Sequence, residues 1–290
     1  MRILIFGGKG MLGHKLVQVL GKSFEVWTTI RGAYEDVERF GIFEKHRTIE
    51  GIDAHDLYSV QQAVRDSRPD VVINAVGIIK QMPSSKDVIK TLTVNSIFPH
   101  RLSELAGDFG FRLITISTDC VFDGQKGSYV EEDAPNALDL YGRSKNLGEV
   151  LADNCLTLRT SIIGRELETA HSLVEWFLGS EGKNVEGFGN AIYSGFPTIV
   201  FADIIEDLIV NQPKLNGLYH VSSEPISKYD LLKLLKKHYK SNIEIERFGD
   251  FCNDRSLDST KFRNATGFSP ANWNQMIGKM ADDPTPYGNW

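Results

Sequence analysis

Three glycines spaced three apart, at the junction of an apolar run and a helical pattern, restrict this chain more than any other feature. Ile3 to Phe6 is continuously apolar, as suits a strand covered on both faces. Gly7-Gly8-Lys9-Gly10-Met11-Leu12-Gly13 follows, and Leu12, Leu16, Val17 and Leu20 then recur at helical spacing. A G-x-x-G-x-x-G loop placed there permits a tight turn, lets the backbone approach a pyrophosphate and lets the helix pack closely on the strand. The helix N-terminus, through Met11, Leu12 and Gly13, offers free N–H groups and partial positive charge to phosphates. The context points to a dinucleotide site; a plain tight turn is the alternative.

The rest of the first half repeats the strand–helix alternation. Strands are expected at Glu25–Ile30, at Val71 to Gly77, at Arg112–Ser117 and at Leu156–Ile163. Helices are expected from about Leu57 to Asp66 and from Asp87 to Phe109, the latter kinked at Pro99. Residues 32–51 are poorly patterned. This alternation predicts an α/β fold, a Rossmann-type doubly wound parallel sheet, with ligands at the carboxyl ends of its strands. The second strand ends Thr28-Thr29-Ile30-Arg31, with Arg31 where an NAD-preferring site carries an acid. Arg31, with Lys9 in the glycine loop, therefore favours the 2′-phosphate of NADP; NAD stays open, and both cations could also be ordinary surface charges.

Tyr141-Gly142-Arg143-Ser144-Lys145 lies beyond the strand that ends Ser117-Thr118. On a helix, a Tyr and a Lys four apart share a face. Leu147, Val150 and Leu151 continue the spacing, so the helix is expected to run on towards Asn154. An ammonium beside a phenol lowers its pKa and suits it to protonate a carbonyl under reduction. Tyr-x-x-x-Lys also occurs by chance.

The net charge of −6 provides no general attraction for nucleic acid or anionic membrane. No apolar run approaches the roughly 20 residues of a membrane span, and the first run is too short for a signal peptide. Cys120, Cys155 and Cys252 form no metal-like spacing and no disulfide framework, and the histidines show no ligand pattern, so no metal is expected. Sparse cysteines fit a reducing, cytoplasmic setting.

Taken in order, Gly7-x-x-Gly10-x-x-Gly13, Asp53, Asn74-Ala75, Asn95, Ser117-Thr118-Asp119-Cys120-Val121-Phe122-Asp123-Gly124 and Tyr141-x-x-x-Lys145 resemble the extended short-chain dehydrogenase/reductase family. Tyr141 to Glu149, Leu158-Arg159-Thr160-Ser161, Gly195-Phe196-Pro197-Thr198 and Arg255 to Lys261 are similar to its dTDP-4-dehydrorhamnose reductase branch. The resemblance implies reduction of a ketone on a nucleotide-linked 4-keto-6-deoxy sugar by NAD(P)H, in surface polysaccharide precursor synthesis. Thr118, Tyr141 and Lys145 would be catalytic. Asp53 and Ala54 would meet the adenine, though Asp53 is also a candidate helix cap. Asn74, Ala75 and Val76 would line the cofactor, and Asn95 would support Lys145 through water or backbone, though it could equally be a mid-helix polar residue bonding locally. Cys120 and Arg255 would face the substrate, Arg255 through its planar fork on the diphosphate. Residues 1–163 are expected to form the dinucleotide domain, to which 198–223 return, and 164–197 with 224–290 a smaller substrate lobe. Cys120 stands where the branch usually has tyrosine, and Val76-Gly77-Ile78-Ile79-Lys80-Gln81 departs from its pattern. A nucleotide-sugar epimerase of the same fold, a non-catalytic NADP-binding regulatory subunit and a homodimer stay open.

Overall fold

The computed structural model describes residues 1–288. In the first half, β1 (Arg2–Phe6), α1 (Gly13–Leu20), β2 (Glu25–Thr29), β3 (Thr48–Ile49), α2 (Leu57–Ser67), β4 (Val71–Asn74), α3 (Val88–Leu92), α4 (Phe98–Phe109), β5 (Arg112–Thr118), α5 (Leu140–Leu147) and β6 (Cys155–Thr160) follow one another. Beyond them come β7 (Ile162–Ile163), α6 (Leu173–Leu178), β8 (Asn184–Tyr193), β9 (Phe196–Pro197), α7 (Thr198–Asn211), β10 (Gly217–His220), β11 (Ile226–Ser227), α8 (Lys228–Tyr239), β12 (Glu244–Asp254), α9 (Thr260–Thr266) and α10 (Trp273–Ala281).

Seven strands form one parallel sheet in the order β10-β6-β5-β4-β1-β2-β3. The direction of winding reverses between β1 and β4, so a crevice opens at their carboxyl ends. Their apolar runs fit this place: Ile3, Leu4 and Ile5 are fully buried, with Ile3 and Ile5 against α1 and α7 and Leu4 against α2 and α4. A second sheet, β11-β8-β12, packs on α8; β10, although late in the chain, lies on the edge of the large sheet beside β6.

Two helices differ from the sequence expectation. α5 stops at Leu147, not near Asn154, because Gly148 passes so close to the backbone of Asn95 that a Cβ there would overlap the carbonyl. Val150 is buried beyond it, while Leu147 and Leu151 stay exposed. The irregularity expected at Pro99 falls just before it, as a π-helical turn over Thr93–Ile97 that runs into α4. Proline lacks the N–H that would continue the regular ladder, and π turns of this kind commonly mark sites.

Candidate active site

The carboxyl ends of β1 and β4 meet at the glycine loop. Gly7 has φ +87°, a conformation that side chains oppose, and a Cβ on it would stand 3.0 Å from Val76 Cγ2. Gly10 donates its N–H to the Gly7 carbonyl at 3.0 Å. At Gly13 any Cβ would overlap that same carbonyl, so α1 abuts the turn directly. Met11 and Leu12 lead into the helix, Leu12 buried in the core. Asn74 is buried, its Oδ1 accepting from the Val76 N–H at 3.1 Å, and Ala75 donates its N–H to Phe6. The structure thus brings Gly7, Gly10, Gly13, Ala75 and Val76 around one cradle.

Asp53 and Arg31 lie close together at the rim, beyond the ends of β2 and β3, near enough for the guanidinium to favour the carboxylate. Asp53 accepts from the His55 N–H at 2.9 Å and pairs with its ring at 2.7 Å; the cap of α2 is Asp56 instead. Ala54 packs partly buried beside them. Lys9 is not free in this structure. It pairs with Glu168 at 2.5 Å, and Glu168 also binds Arg39 at 2.8 Å.

Three successive residues of β5 each hold one part of the segment that runs from α5 to Glu149. The Ile116 carbonyl accepts from Lys145 Nζ at 2.6 Å. Ser117 Oγ donates to Glu149 at 2.6 Å. The Thr118 hydroxyl lies beside the Tyr141 phenol and donates to Asp119 at 3.1 Å. Thr118, Tyr141 and Lys145 are therefore assembled at the end of one strand. Burial lowers Lys145 to a pKa of about 8, against the opposing charge of Glu149. The expectation that Lys145 depresses the tyrosine pKa is not met here: burial, with the nearby Cys120 and Asp119, raises the Tyr141 pKa. The ammonium is turned onto the strand carbonyl, and the phenol stays protonated, as a proton donor must.

Behind Lys145 lies a buried ionic network that the sequence did not reveal. Arg159 grips Glu149 with both arms, at 2.7 Å each, and its third nitrogen meets His220 Nε2 at 3.2 Å. His220 in turn donates from Nδ1 to the Tyr129 carbonyl at 2.9 Å, the tautomer its other partner requires. Burial, then Arg159, lowers the His220 pKa to about 4. Glu149 stands four residues beyond Lys145, the one local signal that could have placed it. His14 was missed too: its ring bridges the Gly10 carbonyl (2.8 Å) and the Tyr287 hydroxyl (2.7 Å), while Lys15 pairs with Asp283 in the interior.

Beyond the turn after β5, Arg255 donates from Nε to the Phe122 carbonyl at 2.8 Å and reaches Cys120 Sγ at 3.7 Å. The structure therefore joins Cys120 and Arg255 beside Tyr141. Burial pushes the Cys120 thiol up to about 11, so the thiol is neutral at ordinary pH. Asn95 lies in the π turn. It clamps Ile78 through both backbone groups (2.8 and 3.0 Å) and donates to Ser144 at 3.1 Å, next to Lys145 in the helix. Among the described residues no group of three or more His, Cys, Asp or Glu is placed to hold a metal, and no helix is long and apolar enough to cross a membrane.

The family described as RmlD substrate binding domain matches residues 1–285. A dTDP-4-dehydrorhamnose reductase of Aggregatibacter actinomycetemcomitans is 27% identical, covering 95% of this chain and 97% of that protein. The mouse methionine adenosyltransferase 2 subunit beta is 28% identical over 79% of this chain and 70% of its own length. Among solved structures, a Bacillus anthracis dTDP-4-dehydrorhamnose reductase in complex with NADP has the same fold, with a TM-score of 0.79 at 22% identity, over 96% of this chain and 98% of that one.

Proposed function

We propose that this chain, which belongs to the RmlD substrate binding domain family, reduces a keto group of a nucleotide-linked 4-keto-6-deoxy sugar with NADPH. It is an NAD(P)-dependent oxidoreductase of the dTDP-4-dehydrorhamnose reductase type. The observation that carries the reading is the assembly at the end of β5, where Thr118, Tyr141 and Lys145 meet beside the glycine cradle. The cradle fits a dinucleotide, since Gly13 leaves no room for a Cβ and α1 begins directly upon the turn. Gly7, Gly10, Met11, Leu12 and Gly13 would take the pyrophosphate; Asp53, Ala54 and Arg31 the adenosine end; Asn74, Ala75, Val76, Tyr141 and Lys145 the nicotinamide end. Arg31 favours the 2′-phosphate, in keeping with the NADP of the Bacillus anthracis protein, and NAD is the weaker alternative.

A nicotinamide held in this cradle would supply the hydride. Thr118 donates a hydrogen bond to the carbonyl oxygen as negative charge develops on it. Tyr141, protonated in its buried setting, gives its proton to that oxygen. Lys145 would hold the ribose end of the coenzyme and keeps positive charge near the phenol. Cys120 lines the sugar pocket, and Arg255 meets the diphosphate. The pathway we assign is surface polysaccharide precursor synthesis in the cytoplasm, with domain limits at 1–163 plus 198–223, and 164–197 plus 224–290. The similarity to a methionine adenosyltransferase subunit supports a second reading, a dinucleotide-binding subunit without turnover.

NADPH oxidation with dTDP-, UDP-, GDP- and CDP-linked 4-keto-6-deoxy sugars separates them. Turnover with one sugar, lost by about 100-fold or more in Tyr141→Phe while calorimetric coenzyme affinity stays within about twofold, supports the reductase. Full activity in Tyr141→Phe refutes the mechanism. Coenzyme binding with no turnover supports the subunit.

A further inference from the structure

Lys80 lies on the loop after β4, 61 positions before Tyr141, in the run that departs from the reductase pattern. Its ammonium sits 5.7 Å from the centroid of the Tyr141 ring. It also bridges to Asp139 at 2.8 Å. Asp139 is the cap of α5: its other oxygen accepts from the Gly142 N–H at 2.9 Å. One lysine therefore ties the loop on the cofactor side to the first turn of the helix that carries the proton donor. The loop itself is fixed one step back, because Asn95 clamps Ile78 and donates to Ser144 of the same helix. The two ties hold α5 at both ends of the Tyr141–Lys145 face.

The charges around Tyr141 come from four elements. α5 and its cap provide Lys145 and Asp139; the turn after β5 provides Asp119 and the Cys120 thiol; the β4 loop provides Lys80; the segment after β12 provides Arg255, which faces Asp119, Cys120 and Asp139. The acids and the thiol oppose formation of a phenolate. Lys145 donates to the Ile116 carbonyl and keeps its charge at the far end of the face, and Arg255 donates to the Phe122 carbonyl. Lys80 is the cation placed over the ring. A cation over a phenol face is attracted to it, and the attraction strengthens as negative charge grows on the ring.

We propose that Lys80 is a positioning residue for the reduction: through Asp139 it sets the orientation of Tyr141, and through the ring face it stabilises the negative charge left there when the proton departs. The proposal rests on the reductase reading above. It predicts a different result from a substrate-binding lysine, which would act on KM alone.

The test compares the full chain with Lys80→Met and Lys80→Arg, both at a partly exposed position. Lys80→Met should lower kcat for ketone reduction by roughly tenfold, a part of the effect a general acid supplies, with sugar KM within about twofold. Its solvent deuterium isotope effect on kcat should rise, because proton donation becomes slower relative to other steps. Lys80→Arg should restore most of kcat. Unchanged kcat in Lys80→Met, a higher KM with kcat intact, or no rescue by Lys80→Arg overturns the proposal. If the native chain reduces no sugar nucleotide, the reductase reading fails, and the brace is decided without turnover. In protein labelled with carbon-13 at tyrosine Cζ, the Tyr141 resonance, identified by its absence in Tyr141→Phe, should move in Lys80→Met and return in Lys80→Arg. A resonance that stays in place overturns the proposal.

Discussion

Replacing Glu149 by Gln should destabilise this chain far more than an ordinary polar substitution. Glu149 and Arg159 have side chains only 7% and 3% exposed, and the guanidinium forks onto both carboxylate oxygens. The glutamine amide keeps one oxygen for Ser117 but leaves the buried guanidinium with an unmatched charge. Removing one partner of a buried pair costs about 3–5 kcal/mol. With an unfolding entropy of roughly 2 cal/mol/K per residue over 290 residues, that loss lowers Tm by about 5–8 °C. Thermal and denaturant unfolding of Glu149→Gln would measure it, with the double variant Glu149→Leu, Arg159→Met as control, since an apolar replacement of both partners is commonly close to neutral. The same substitution also removes the charge that opposes the depression of Lys145 from its ordinary value to about 8. The alkaline limit of any activity that needs the ammonium should therefore move to lower pH. A Tm within about 2 °C of the native chain, or a double variant as unstable as the single one, would refute the reasoning, because the pair would then not be a desolvated, mutually dependent unit.

Gly13→Ala sets a methyl group against the Gly7 carbonyl, so coenzyme affinity by calorimetry should fall at least about tenfold, and native affinity with native Tm would refute the cradle. His14 and His220 both have native pKa values of about 4, depressed first by burial. Since each native pKa lies below the unfolded value near 6.5, the unfolded chain binds more protons between pH 6.5 and 4, and stability falls as pH drops through that window. Each histidine should cost about 2–3 kcal/mol by pH 4.5. Denaturant midpoints at pH 7 and 4.5 would show the loss, and His14→Gln should flatten it; an unchanged slope would refute the assignment.

Local pattern made the cradle legible. The run Ile3–Phe6, the glycines at 7, 10 and 13 and the helical leucines after them are all within 20 residues, and each constraint there is steric and short in range. The Tyr141–Lys145 spacing was equally readable, because a helix places i and i+4 on one face. What the sequence hid depends on partners brought in by the sheet. Lys145 faces Tyr141 in the helix, yet its charge goes to Ile116, on a strand 29 residues earlier. Asn95 also fastens the loop at Ile78, a partner 17 residues earlier that no helical spacing announces. The end of α5 was misjudged because Leu147, Val150 and Leu151 keep helical spacing while Gly148 is pinned against Asn95. Spacing reports what a helix would allow, and close packing decides where it stops. The C-terminal segment that reaches His14 and Lys15 carries no pattern at all, since its contacts lie about 270 residues away.

The fold is shared by proteins named for different activities, so the cradle alone cannot separate a reductase from a binding subunit. The separating feature is the surroundings of one phenol. A site that only binds a dinucleotide needs the glycine turn, the helix N-terminus and a ribose contact. It gains nothing from a tyrosine held protonated by burial, a threonine hydroxyl set beside it and a cation laid on its ring. Each of these arrangements costs desolvation or side-chain freedom. Together they act on a single event, the departure of the Tyr141 proton. Their convergence on that event is the argument for turnover, and it fails if Tyr141→Phe is silent.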